Sequence, residues 1–114
     1  MFALSISNAQ QDQIAKEYFD NGEFEKALIA YKKLLEKQPG HNDYFLKVVE
    51  IYHQLEQYEV VRTMLFEKVS KSRNPQYLVE LGYNYQRSND SIRAHEYYDK
   101  ALLAIEENPI YTYY

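Results

Sequence analysis

The chain has no cysteine, and only three glycines and three prolines in 114 residues. Without thiols there is no disulfide framework, no thiolate zinc site and no cysteine nucleophile, although the redox compartment stays open. So few glycines and prolines argue against a β-sandwich, a barrel or long flexible linkers. Nor can they build a phosphate-cradling loop, and no G-x-S-x-G, H-E-x-x-H, P-loop or G-x-G-x-x-G pattern occurs. No run approaches the roughly 18 apolar residues that a membrane span needs. His41, His53 and His95 have no partners at metal-ligand spacing, and His95, Glu96 and Asp99 read as a solvated helix face. Basic charge is also short: 13 Lys and Arg against 17 Asp and Glu give a net charge of −4, which repels phosphate backbones and disfavours nucleic acid as a partner. The carboxylates alternate with lysines, as in Glu23, Glu25, Lys26 and then Lys32, Lys33, Glu36, Lys37, the pattern of a soluble helix surface rather than of a catalytic dyad. The expectation is a protein with no enzymatic activity, cofactor or metal.

What the chain does have is helical periodicity. With 46% hydrophobic and 26% charged residues it has the composition of one small globular domain. Apolar residues recur at Ile14, Ala15, Tyr18 and Phe19, then at Phe24, Ala27, Leu28, Tyr31, Leu34 and Leu35, which predicts two helices. Gly22 in "DNGE" stands where the first would end, and Pro39 and Gly40 in "KQPGHND" close the second. Shifting the sequence by 34 residues places Val48, Val49, Tyr52, Tyr58, Val61 and Leu65 on Ile14, Ala15, Tyr18, Phe24, Ala27 and Tyr31. A further 33 gives Leu81, Gly82, Tyr85, Ser91, Ala94 and Tyr98. "NPQY" at 74–77 returns as "NPIY" at 108–111. Of the 13 tyrosines, six (Tyr18, Tyr31, Tyr52, Tyr58, Tyr85 and Tyr98) fall on repeating packing positions, a pattern that does not account for Tyr83, Tyr97 or the terminal tyrosines.

A two-helix unit with a period near 34 resembles the tetratricopeptide repeat over essentially residues 8–114. The large, small, aromatic triplet of the family's first helix is present as Ile14-Ala15…Tyr18, Val48-Val49…Tyr52 and Leu81-Gly82…Tyr85. The second helix's small and aromatic pair is Ala27…Tyr31, weakens to Val61…Leu65, and returns as Ala94…Tyr98. Small residues let the paired helices approach closely and aromatics fill the wider end. The resemblance implies an all-α, right-handed superhelical stack of antiparallel helix pairs: repeat 1 over 8–41, a degenerate repeat 2 over 42–74, repeat 3 over 75–108 and the start of a truncated fourth over 109–114. The third turn has Asn89 in place of glycine, and the last helix runs about one turn longer.

In that family the first helices of successive pairs line a concave groove. Mapped onto this chain, the candidate groove residues are Lys16, Phe19, Leu46, Glu50, His53, Val79, Tyr83 and Arg87. Phe19, Leu46, Val79 and Tyr83 form an apolar anchor strip for a peptide, with Lys16, Glu50 and Arg87 setting polarity and register. The alternative is that these side chains pack against a neighbouring helix or the N-terminal segment. A family branch that grips the C-terminal carboxylates of chaperone tails uses a Lys, Asn and Arg clamp. The matching slots here hold Asp12, Lys16, Lys47, Gln76 and Glu80, whose acids disfavour such a ligand. The expected function is a non-catalytic interaction scaffold for a protein or peptide partner. The alternative is a self-associating solenoid segment of a larger exported protein, in which the uncapped C-terminal end, with Leu102, Leu103 and Ile105, makes a homo-oligomer.

Residues 1–9 do not continue the repeat. The apolar stretch Phe2 to Ile6 running into small residues at Ser7 and Ala9 reads either as the remnant of a secretory signal, which would export the protein, or as a helix extension with Ser7 or Asn8 as N-cap in a cytoplasmic one.

Overall fold

A computed structural model describes residues 7–107, which form six α-helices and no strand. They are α1 (Asn8–Asp20), α2 (Phe24–Lys37), α3 (Asn42–Gln54), α4 (Tyr58–Lys71), α5 (Gln76–Arg87) and α6 (Ser91–Glu107). The expected fourth-repeat stub at 109–114 and most of the expected signal remnant lie outside the described residues. Ser7 caps α1 through a reciprocal box. Its Oγ accepts from the Gln10 N–H at 3.2 Å, and Gln10 Oε1 accepts from the Ser7 N–H at 2.9 Å.

Three helix ends use one device at the repeat spacing. Gly22, Glu56 and Asn89 all take positive φ, at 75°, 59° and 65°. The N–H of each donates to the carbonyl three residues back, that of Phe19, His53 and Gln86. In the first and third turns the next N–H reaches five residues back, from Glu23 to Tyr18 and from Asp90 to Tyr85, which completes a Schellman turn. Asn tolerates this left-handed conformation, whereas Glu56 adopts it at a cost.

The chain divides into two compact units, one running to Glu56 and the other starting at Gln57. In the first, α1 packs on α2 and α2 on α3. Its core is Ala15, Ala27, Tyr31 and Leu34 with Tyr44, Phe45, Val48, Val49 and Ile51 of α3. In the second, α4 packs on α5 and α5 on α6, around Val61, Leu65, Tyr77, Leu81, Ala94 and Ala101. The division falls in the turn between α3 and α4, inside the stretch read as repeat 2.

The small positions do what their size allows. Ala15, Ala27 and Ala94 are buried, and Gly82 faces the Tyr98 ring so closely that a Cβ there would stand 2.5 Å from two ring carbons. One large position departs from the pattern. Val48 and Leu81 are buried, yet Ile14 at the same place in the repeat is 40% exposed.

Candidate interaction surface

In the first unit α1 contributes Lys16 and Phe19, and α3 contributes Leu46 and Glu50. Phe19 is half-buried. It meets Phe24 edge-on at 5.7 Å between ring centroids, and the Lys47 ammonium of α3 sits 4.1 Å above its ring. That cation–π contact brings α1 and α3 together on one surface and desolvates one ring face. Lys16 pairs with Asp20 one turn on at 2.7 Å, and this hydrogen bond and charge raise its pKa. Both side chains are solvated, so the pair contributes little to stability. Glu50 accepts from Gln54 Nε2 at 2.9 Å, and Leu46, one turn before it on α3, is half-buried.

One expectation needs correction. His53 was placed on the exposed lining, but it is fully buried, because it extends the inward stripe of Phe45 and Val49 at four-residue steps. Asp12, at the mapped slot on α1, is half-buried, and burial first, then the Asp12 charge, push the Tyr44 phenol up. Tyr44 also stacks on His41 at 3.6 Å, and its N–H donates to His41 Nδ1 at 3.2 Å, capping α3. Burial first, then the charges of Asp12 and Asp20, push the Tyr31 phenol up to about 12. These phenols stay neutral and serve the core.

In the second unit Val79, Tyr83 and Arg87 follow one another at four-residue intervals along α5, so they share a face. Val79 and Tyr83 are each 39% exposed, and the Arg87 guanidinium lies 5.5 Å from the Tyr83 ring centroid. The stripe pairs an apolar anchor with an aromatic ring and a cation.

Sequence reasoning missed the polar network that joins α4 to α5. Asn84 is fully buried. Its Nδ2 donates to the Tyr58 carbonyl at 3.0 Å, and its Oδ1 accepts from Arg62 Nη1 at 2.9 Å. Arg62 also reaches Ser88 Oγ at 3.3 Å and lies over the Tyr85 ring. The available signal was Asn84 itself, a weak helix former between two aromatics on an otherwise periodic helix. Among the described residues no three His, Asp or Glu side chains gather as a metal site, and no helix is long and apolar enough to cross a membrane.

Repeats of the tetratricopeptide family generally mediate protein–protein interaction and are typically non-catalytic. A tetratricopeptide-repeat family model matches residues 12–41, which take in most of α1, the turn after it and all of α2. No curated protein matches the chain. Residues 12–41 thus match a tetratricopeptide repeat, and the six described helices are consistent with a helical-repeat protein.

Proposed function

We propose that the protein is a non-catalytic interaction module that holds an extended or helical segment of a partner protein. The observation that carries this reading is the half-open aromatic anchor in each unit, Phe19 beneath Lys47 and Tyr83 beneath Arg87. Both rings are accessible enough to be covered further by a ligand, and each is held in place by a cation that can also meet a carboxylate or a backbone carbonyl. Leu46 and Val79 extend the apolar contact, while Lys16 and Glu50 supply opposite charges that select register. The partner is an apolar and aromatic peptide with a few charges of both signs, bound with modest affinity because each strip is small.

Selection from a displayed random-peptide library tests this. Wild-type protein should enrich peptides with a shared apolar spacing. Phe19→Ser and Tyr83→Ser variants with unchanged helicity should each lose most of that binding. Enrichment of no peptide, or binding indifferent to both substitutions, would contradict the proposal.

A further inference from the structure

We propose that the open cleft between α1 and α2 receives α6 of a second copy of this chain, so that copies associate head to tail. The cleft, about 480 Å³ and lined by Ile14, Tyr18, Ile29 and Ala30 together with three lysines and Glu36, is separate from the aromatic strips proposed to hold a partner. Ile29 is 59% exposed and Ile14 40%.

Three observations name the occupant. First, the packing order inside each unit repeats: a second helix of one pair lies on the first helix of the next, α2 on α3 and α4 on α5. Among the described residues no helix lies before α1 in this way, and none follows α6. Second, Val48 and Leu81 are buried on α3 and α5, helices that have such a neighbour, while Ile14 on α1 is exposed. A helix placed on α1 as α2 is placed on α3 would bury it.

Third, α6 and the cleft carry complementary patterns. On α2, Lys26 and Lys33 flank Ile29 and Ala30. On α6, Asp99 and Glu106 flank Leu102 and Leu103, each 56% exposed. Both charge pairs are seven residues apart, about 10.5 Å along a helix. Each brackets an apolar pair at the third and fourth positions, on one face of its helix. An acid, apolar pair, acid stripe therefore matches a lysine, apolar pair, lysine stripe in length, order and opposite sign. Because donor and acceptor faces differ, the association is heterologous. The fold supplies both halves of the joint.

Sedimentation velocity on the full chain tests the proposal. Wild type should sediment faster as concentration rises, and less so at high salt, since exposed charges are screened. Ile29→Glu should abolish the cleft, and Leu103→Lys should abolish the α6 face. Each variant alone should remain monomeric with unchanged helicity, because both positions are solvent-exposed. Mixed together, the two variants still share one intact cleft and one intact α6 face and should form a dimer that grows no further. The charge-swapped pair Lys33→Glu and Glu106→Lys in one chain should restore association lost in either single variant by at least tenfold. A wild-type monomer at every concentration, or a mixture that stays monomeric, would overturn the proposal. Association that survives both single substitutions would overturn it too.

Discussion

Replacing Gly82 by alanine should destabilise the second unit, against the usual effect of that change on a helix. In an exposed helix interior Gly→Ala gains about 0.8–1.0 kcal/mol. Here the added methyl would stand 2.5 Å from Cδ1 and Cε1 of Tyr98 and 3.0 Å from Cζ, whereas carbon atoms rest at about 3.5–4.0 Å. The ring must retreat by about 1 Å. Its hydroxyl donates to Gln86 Oε1 at 2.8 Å, so a retreat also stretches that bond between α6 and α5. Overpacking of this kind costs about 1–3 kcal/mol, and after the propensity gain the net loss should reach at most about 2 kcal/mol. Urea denaturation followed by circular dichroism measures it. The decisive comparison is the same substitution in a Tyr98→Ala background. With no ring to meet, Gly82→Ala should there stabilise by about 0.8–1.0 kcal/mol, so the sign reverses. A stabilising effect in both backgrounds would refute the idea that glycine is required by the ring. Equal destabilisation in both would place the cause elsewhere.

Three further outcomes are expected. Asn84→Leu removes the acceptor of Arg62 and the donor to the Tyr58 carbonyl. It should cost about 2–4 kcal/mol, part of which returns when Arg62→Met is added; a loss below 0.5 kcal/mol would rule out a structural role for the network. Glu56→Gly relieves a left-handed residue and should raise stability by about 0.5–1 kcal/mol, a gain that an unchanged urea midpoint would deny. Asp90 caps α6, accepting from the Arg93 N–H at 3.0 Å and from its guanidinium at 2.6 Å, and these bonds hold its carboxyl below the ordinary 3.8. Its contribution is therefore fully present above pH 3.8 and fades as pH falls through the lower folded value. Asp90→Ala should lower the melting temperature at pH 7, with the gap from wild type closing toward pH 2; a constant gap would show that the charge is not involved.

Much of the fold was legible because the repeat restates itself. The small residues Ala15, Ala27, Gly82 and Ala94 recur where helices approach most closely, and a position that admits no larger side chain leaves a clear mark on a sequence. The turn at Asn89 was equally readable, since few side chains tolerate a left-handed backbone. Glu56 was not, because its propensity gives no hint of that conformation, and the repeat spacing from Gly22 was the available clue. Ile14 was expected among the apolar packing residues, yet its burial depends on a neighbouring helix that its own pair does not provide. His53 misled for a related reason. A polar residue on an apolar stripe reads as surface, but its four-residue spacing from Val49 carries it inward. The Asn84 and Arg62 network joins residues 22 apart and departs from the 33 to 34 residue repeat, so self-comparison could not find it.

The central claim is that the aromatic strips on the first helices hold a partner segment. Amide chemical-shift mapping tests it most directly, with ¹⁵N-labelled protein titrated by a peptide selected on the wild-type chain. The account predicts saturable shifts centred on Phe19, Leu46 and Lys47 and on Val79, Tyr83 and Arg87, with α2 and α4 little changed. Shifts confined to other helix faces, or no saturable change at millimolar peptide, would contradict it.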